Sequence, residues 1–426
     1  MLPIADWLRQ AAPYINSHRG KTFVIKISGD VLADATLWES TAYDIALLHS
    51  LGIKVVLVFG AREQINHALS LAGIKTAFDS MSRITPPQAM PVLQQVAGQM
   101  RFEIESMFSR GTPSSPLYGA SVKTCSGNFI IAKPSGVING HDYQHTGEVR
   151  RVETDAIRAI IQNNAIALLS PIGVSITGQS YNLNAEQVAV QVAAQLQAHK
   201  LIFIGKGIPL SDNQQQRIRE CDADDLRQQT GPSIYIQAAQ EALALGIERV
   251  HLVDSQEKGA LIQELFTRDG SGTLITQSPY EQIRSATIAD ISAIIALIEP
   301  LEQKGILVKR AREQLENEIY NFYVMTRDQA VIGCAALYPF AEGLAEIACV
   351  VIHPNYQAQY RGETLLETLE QKAQQQGIST LFVLTTQTEH WFIEQGFTPA
   401  PLDRLPKTKQ MLYNYDRNSK VLTKTL

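Results

Sequence analysis

The stretch Glu346-Ile347-Ala348-Cys349-Val350-Val351-Ile352-His353-Pro354, continued by Asn355-Tyr356-Gln357-Ala358-Gln359-Tyr360-Arg361-Gly362-Glu363-Thr364-Leu365-Leu366, decides the architecture of the C-terminal part of the chain. An apolar strand runs into a proline stop, a short polar and basic turn, and an amphipathic helix. Proline cannot donate to a ladder and so ends the strand. The first turn of a helix leaves its N–H groups without partners, and the macrodipole favours anions there. A turn bearing Arg361 at that end suits a pyrophosphate. It equally suits an ordinary strand–turn–helix with a solvated arginine.

The surrounding chain has the composition of a globular protein. Its 426 residues are enough for two domains or three, each with its own core. Hydrophobic residues make up 45% and charged residues 19%, which excludes a disordered chain. A net charge of −5 gives no footprint for nucleic acid, although Lys309-Arg310-Ala311-Arg312 forms a local basic cluster. Cys125, Cys221, Cys334 and Cys349 lie far apart, so neither a disulfide framework nor a zinc site is expected, and no metal is implied. The opening residues carry an early acid, Asp6, and no long apolar core. No run approaches the roughly 20 apolar residues of a membrane helix. The expectation is a cytoplasmic protein that binds neither membrane nor nucleic acid.

Apolar side chains at Ile4, Trp7, Leu8, Ala11, Ala12 and Ile15 give a helical period over residues 4–16. Thr22–Ile27 then reads as a strand, residues 38–51 as a helix, and Val55–Phe59 as a fully apolar strand, with glycine turns at Gly29 and Gly60. The alternation resumes with Ala165–Leu169, a helix over 184–198, Leu201–Ile204 and a helix over 235–245. It closes with Arg249–Val253, a helix over 257–266 and Gly272–Ile275. Unalternating strands divided by helices predict an α/β fold, an open and mostly parallel sandwich. Ligands sit at the C-terminal ends of such strands, which singles out the turns after Ile27 and Phe59. Yet Lys26-Ile27-Ser28-Gly29-Asp30 sets an acid beside the first turn. Gly60-Ala61-Arg62 offers one glycine where a phosphate cradle needs a run.

Arg83-Ile84-Thr85, Ser126-Gly127-Asn128, Tyr181-Asn182-Leu183-Asn184-Ala185-Glu186 and the block from His251 to Gly272 are similar to the amino acid kinase family, in its N-acetylglutamate kinase branch. That family uses Lys-x-Gly-Gly and Gly-Gly-Gly turns, where this chain has Ser28, Asp30, Ala61 and Arg62. The family's acid survives only as Glu186, and no second catalytic lysine follows Ile204. Phosphoryl transfer depends on clamped charge and close backbone approach, so the departures imply a kinase-like domain without kinase activity. The resemblance to arginine-sensitive members maps an arginine site onto Tyr14, His251, Glu264, Gly270 and Gly272. Glu264 would grip the guanidinium bidentately under an aromatic cover. Without the resemblance, Glu264 reads as a solvated helix residue and His251 as a polar group at a strand start.

Thr276-Gln277-Ser278-Pro279-Tyr280 breaks the pattern and places the linker, giving domains 1–278 and 279–426. Glu281–Thr287 then reads as a strand, Asp290 opens a helix with Ile291, Ile294, Ile295 and Ile298 on one face, and a charged helix covers 310–319. Phe322–Met325 and Val331–Tyr338 form a hairpin turning at Arg327-Asp328. The opening stretch follows, then Leu381–Leu384, a helix with Trp391 and Phe392, and a closing pair ending at Leu422. This α+β order resembles the GCN5-related N-acetyltransferase fold. The resemblance implies that the strand backbone at Cys349, Val350 and Val351 binds the pantetheine of acetyl-CoA. The turn from Gln357 to Gly362, with Glu363, would wrap the pyrophosphate. Tyr360 stands in place of an inner glycine, an awkward exchange if positive φ is needed, and Arg361 is expected to supply charge instead.

Both resemblances in one chain are those of the N-acetylglutamate synthase family, which Gly305–Arg310, Phe382–Thr386 and Leu412–Leu422 also match. They imply an acetyl-CoA:L-glutamate N-acetyltransferase acting directly on the α-amine, the first step of arginine biosynthesis, with feedback inhibition by arginine on the kinase-like domain. Such transfer needs a base for the α-ammonium, and the resemblance assigns Glu346. Thr385 is the candidate proton donor to the departing thiolate. N–H groups near Cys349 and Val350 are the candidate oxyanion donors. Cys349, in an apolar strand with no basic neighbour in sequence, reads as a core residue and not a nucleophile. Lys309, Arg310 and Arg417 are the cations for the two substrate carboxylates. The resemblance further implies a homo-oligomer, a hexamer among its forms, with helix 4–16 in the contact. Two rivals stay open: a non-catalytic arginine sensor with a degenerate acetyltransferase domain, and a bifunctional synthase and kinase.

Overall fold

Apolar runs that lack alternation become the centre of a sheet buried on both faces, as their composition requires. The computed structural model describes residues 4–426 apart from 80, 112, 114–116, 121, 213–215, 229–232, 268, 278–280, 328–329, 358–359 and 416, and apart from the side chains at 4, 342 and 355. Linker residues 278–280, the hairpin tip at Asp328 and residues 358–359 of the expected pyrophosphate turn thus lie outside the described residues. The chain divides into two compact units, Met1–Pro279 and Tyr280–Leu426.

In the first unit, α1 (Ile4–His18) precedes β1 (Thr22–Ile27) and β2 (Lys54–Phe59); α2 (Ala185–Leu196), β3 (Lys200–Gly205), β4 (Arg249–Asp254) and α3 (Ala260–Phe266) follow later. The order β4-β3-β1-β2 is parallel throughout. Ile166–Leu169 and Thr124–Ser126 extend one edge, and Thr273–Thr276 and Glu220–Asp222 the other. Thr273–Thr276 runs antiparallel to β4, a reversal that an apolar strand sequence does not encode. Phe23, Ile25, Ile27, Leu57 and Phe59 point to one side of the sheet with Ala11 of α1. Val24, Val56 and Val58 point to the other with Val188, Ala189 and Val192 of α2. A four-stranded sheet of Ile130–Pro134, Gly147–Val152, Ile172–Val174 and Ser180–Asn182 lies outside the alternating pattern. Its strands are short and partly exposed, so they leave little apolar signal.

The kinase-like turn is closed from within. The Asn184 side chain caps α2, accepting from Glu186 N at 2.9 Å and Gln187 N at 3.2 Å. That cap presents Glu186 to Lys26 of β1, Nζ to Oε1 at 2.5 Å, with both side chains buried. Burial alone would discharge the ammonium, but the Glu186 carboxylate outweighs it and holds Lys26 above its ordinary range.

In the second unit, seven strands run in the order Glu281–Ser285, Phe322–Arg327, Ala330–Pro339, β5 (Leu344–Ile352), β6 (Thr380–Thr385), Lys420–Thr425 and Thr398–Pro399. Only β5 and β6 are parallel to each other, and they pair only from Leu344↔Thr380 to Glu346↔Phe382. α4 (Arg361–Gln375) lays Leu365, Leu366, Leu369 and Ala373 on this sheet, and a short α5 (Lys407–Met411) lies between β6 and the final strand in sequence. Asp290 stands at the N-cap of the helix Ile291–Gln303, as expected, but its side chain makes no cap bond to that helix. It closes a capping box with Thr287 over residues 288–290, accepts Thr287 N at 2.8 Å, and binds Arg284 with both oxygens. Among the described residues no helix is long and apolar enough to cross a membrane.

Lys26→Met should cost the first unit about 3 kcal/mol, because it leaves Glu186 buried without its partner. Urea unfolding of this variant should show the loss, and Lys26→Met/Glu186→Leu should regain most of it. A loss below about 1 kcal/mol in the single variant would remove the pair from any structural role.

Candidate active site

Beyond Glu346 and Phe382 the two parallel strands part, and the second unit opens a cavity of 1060 Å³ between them. Glu346, Cys349, Val350 and Val351 of β5 line it, with Thr385 of β6, Gln357, Gly362 and Glu363 near the start of α4, and Lys309, Arg310 and Arg417. Residues read from distant parts of the sequence therefore share one space. Pairing of β5 with Ala330–Pro339 slips between Cys334 and Ala336, and Cys349 takes a left-handed φ of 52°. Such a bulge carries the backbone at Cys349 and Val350 out of the regular ladder. The Cys349 thiol is buried, which pushes its pKa up to about 11 despite the nearby Arg310. A nucleophilic thiolate is therefore disfavoured.

At the head of α4, Tyr360 adopts φ 56° and ψ 20° as the N-cap, with no side-chain cap and its ring exposed. The position does require positive φ, and tyrosine bears it. A Cβ on Gly362 would approach the Trp391 ring to 3.2 Å, and Trp391 Nε1 donates to Glu363 Oε1 at 3.4 Å.

Arg361 does not supply charge to this space. Its guanidinium is buried, with Nε 2.9 and 2.8 Å from the two Glu281 oxygens and Nη2 2.6 Å from Oε1. Arg327 shares the same carboxylate at 2.9 Å. The side chain turns into the sheet toward the first strand of the unit, and a guanidinium buried there must be paired. Any positive potential at the turn comes instead from the uncapped N–H groups of α4 and its dipole.

Glu346 is buried and forms an ion pair with Lys409 of α5, Nζ to Oε2 at 2.5 Å. The contact is not an aligned hydrogen bond, and Oε2 accepts none among the described residues. Arg310 Nη1 donates to Val308 O at 3.1 Å, and Glu302 Oε1 accepts its backbone N–H at 3.0 Å. Arg417 Nη2 donates to Ile306 O, while its Nε is buried with no hydrogen-bond partner among the described residues. Burial, and then the charge of Arg310, press the Arg417 pKa below the ordinary arginine value. A guanidinium with such an unpartnered nitrogen, beside the second positive charge of Arg310, calls for an anion. Lys309 stays exposed. Thr385 Oγ1 hydrogen-bonds Thr388 Oγ1 at 2.8 Å and accepts Thr388 N at 3.0 Å. Sequence reasoning missed Lys409, Tyr338 and Tyr413 of the lining. Lys409 stands in Lys407-Thr408-Lys409, a charge run like any solvated one.

In the first unit the late block assembles, but closed. Lys200 Nζ lies 3.3 Å from His251 Nε2, and His251 Nδ1 lies 2.7 Å from Glu264 Oε1. Glu264 Oε2 accepts Ser271 N at 2.8 Å and Gly272 N at 2.7 Å. Gly270, at φ 62°, and Gly272 allow this wrap, because a Cβ on the first would meet Glu264 Oε2 at 2.5 Å and one on the second would strike Leu252 O. Glu264 is therefore neither a solvated residue nor an open bidentate grip: its side chain is 4% exposed and both oxygens are taken. Burial lowers the His251 pKa to about 4, Lys200 adding to the effect. Burial disfavours the Glu264 carboxylate, but His251 and the two backbone N–H groups outweigh it and hold its pKa down. Tyr14 is partly buried on α1, which docks on α3 through His18 Nε2 and Leu265 O at 3.0 Å.

A separate cavity of 490 Å³ in this unit marks the kinase-like turns, lined by Lys26, Asp30, Arg62, Glu63 and Glu186 among others. A Cβ on Gly29 would strike the Glu63 carboxylate, and Gln64 Nε2 donates to Gly29 O at 2.8 Å. An acid therefore fills the place where a phosphate would approach. No cluster of His, Cys, Asp and Glu among the described residues could hold a metal ion.

Residues 21–254 match the model of the amino acid kinase family, and residues 291–397 that of the acetyltransferase (GNAT) family. The chain is 45% identical to the amino-acid acetyltransferase of Escherichia coli K12, over 98% of this chain and 97% of that one. With the amino-acid acetyltransferase of Yersinia enterocolitica the identity is 46%, over 98% of each. The N-acetylglutamate synthase of Neisseria gonorrhoeae complexed with coenzyme A and L-arginine superposes over all of both chains, with a TM-score of 0.91 and 36% identity. Its complex with coenzyme A and N-acetyl-glutamate gives a TM-score of 0.65 and 37% identity over the same coverage.

Tyr360→Gly should leave the melting temperature of the second unit unchanged or raise it, since the left-handed conformation costs a non-glycine residue about 1 kcal/mol. Tyr360→Ile should lower it, β-branching making that conformation worse. Equal melting of both variants would mean the position is unstrained. For the first unit, the depressed pKa of His251 sets the sign of a pH effect. Unfolded histidine protonates near 6.5 and the folded one near 4, so stability is full above 6.5 and falls as pH drops through that window. Chemical unfolding at a series of pH values should show this fall, and His251→Gln should flatten it.

Proposed function

The chain belongs to the amino-acid acetyltransferase family, in which an amino acid kinase-like domain is joined to a GNAT domain, and on that premise we propose that its reaction is direct transfer of acetyl from acetyl-CoA to the α-amine of L-glutamate. That it is an amino-acid N-acetyltransferase follows from the family; the acceptor is read from the site. One observation carries the choice: Arg417, whose Nε is buried without a hydrogen-bond partner among the described residues, lines the cavity that also holds Arg310 and Glu346. Two arginines suit an acceptor with two carboxylates, because guanidinium grips carboxylate bidentately. Lys309, exposed at the rim, adds steering charge.

Acetyl-CoA would lie in the gap between β5 and β6, its pantetheine along Cys349, Val350 and Val351. Its pyrophosphate would rest on the N–H groups at Gly362 and Glu363, with Gln357 alongside. Glu346, directly or through water, takes the proton from the α-ammonium, and the freed amine attacks the thioester carbon. The oxyanion that forms is met by N–H groups at Cys349 and Val350, beside the bulge. As the tetrahedral adduct collapses the C–S bond breaks, the thiolate takes a proton from the Thr385 hydroxyl or from water, and the second proton of the attacking nitrogen replaces it, leaving the neutral amide.

Arginine is the proposed feedback inhibitor, acting on the block of Tyr14, His251, Glu264, Gly270 and Gly272. An effector acts by binding one conformation better than another. Because Glu264 is enclosed, the guanidinium would have to compete for its carboxylate or use neighbouring acceptors. Assembly into a homo-oligomer through the first unit, with α1 in the contact, belongs to the same reading. A degenerate acetyltransferase draws no support from Tyr360, whose backbone takes the left-handed form. Acetylglutamate phosphorylation is opposed by Glu63 over Gly29.

Purified protein with acetyl-CoA and glutamate should release CoA, less so with arginine added, and should release no ADP from ATP with acetylglutamate. Absence of CoA release with glutamate would sink the reading. Arg417→Ala should raise the glutamate KM about tenfold or more, from a lost charge-assisted hydrogen bond, with a smaller change in kcat. An unchanged KM would take Arg417 out of the site.

A further inference from the structure

We propose that Lys409 is a specificity-determining residue, which masks the base Glu346 until the acceptor amino acid binds and is drawn off it by that acceptor's side-chain carboxylate. The inference rests on the acetyl-transfer reading above. Lys409 Nζ lies 2.5 Å from Glu346 Oε2, yet that oxygen accepts no aligned hydrogen bond among the described residues. This is a close Coulombic contact without the directional bond that would fix it. The two partners differ in freedom. Glu346 is held in β5 with its side chain 8% exposed, whereas the Lys409 side chain is 30% exposed on the short α5. A lysine is a compact charge on a flexible stem, unlike the rigid arginine fork.

The two arginines of the cavity are tethered, Arg310 to Val308 O and Arg417 to Ile306 O, and Lys309 is exposed. Lys409 instead pairs with the base itself, its Nζ also lying 6.0 Å from the centroid of the Phe340 ring. While it stays there, an incoming α-ammonium meets a neutralised carboxylate. An acceptor with a second carboxylate offers Lys409 a replacement partner and frees Glu346 Oε2 for the ammonium proton. An acceptor with a neutral amide in that place, such as glutamine, makes no such exchange. Discrimination therefore enters both binding and the readiness of the base.

The test measures CoA release by the full chain, with saturating acetyl-CoA and either glutamate or glutamine. Lys409→Gln should raise the glutamate KM about tenfold or more and cut the glutamate-over-glutamine ratio of kcat/KM by a similar factor. CoA affinity by calorimetry should stay within about twofold, reporting an intact cleft; should it be lost, Lys409→Met, which keeps the stem, supplies the same readout. Lys409→Arg, which keeps the charge, should hold the ratio within about threefold of the parent. A KM and ratio both within about twofold of the parent would overturn the proposal. So would an equal loss of kcat with both acceptors at unchanged KM. Parent protein that releases no CoA with glutamate would instead overturn the reaction on which the proposal stands.

Discussion

The second unit depends on where one pair of strands stops touching. β5 and β6 are bonded only as far as Glu346 and Phe382, and everything chemical lies past that point. A continuous ladder would have left no room, because paired strands sit only about 4.8 Å apart. The bulge at Cys349 is the companion of that separation, since a strand that leaves its neighbour must bend. The buried acid, the released backbone and the space for a long ligand thus share one cause. They share it because each sits within a few residues of the last parallel pair.

The first unit shows the opposite use of the same kind of position. Its strand ends also point at a cavity, but charges of the chain itself occupy the ground. Lys26 is held by Glu186, and Glu63 lies over Gly29. A buried ammonium already matched by a carboxylate has little field left for a nucleotide. The late block is likewise internally satisfied, with Glu264 between His251 and two backbone N–H groups. This unit retains the frame of a phosphoryl-transfer fold with its electrostatics turned inward.

The layers of both folds were legible because buried strands have to be apolar and helices have to cover them. Val55–Phe59 and Leu201–Ile204 could hardly be anything else. The C-terminal site was legible through motif likeness: Glu346, Cys349, Thr385, Arg310 and Arg417 do line one cavity. What escaped the sequence was direction. Arg361 stands beside the turn in sequence, yet its side chain turns into the sheet to meet Glu281, eighty residues earlier. Glu264 looked like a surface residue because nothing local announces that Gly270 and Gly272 fold over it. Lys409 looked like solvent-facing charge because its partner lies far away in sequence. The small sheet of the first unit escaped because short, half-exposed strands carry too little apolar contrast.

The wrap of Gly270–Gly272 around Glu264 has a consequence in the time domain. Residues 270–272 belong to no helix or strand, so by form alone they are a loop. The N–H groups of Ser271 and Gly272 nevertheless end on a buried carboxylate that is also tied to β4 through His251. For those amides to meet water, Glu264 has to let go, and that opens the edge of the sheet with it. The turn is thus irregular in shape but keeps the tempo of the core. Anything that pries at it works against the slowest motions of the unit rather than the fastest.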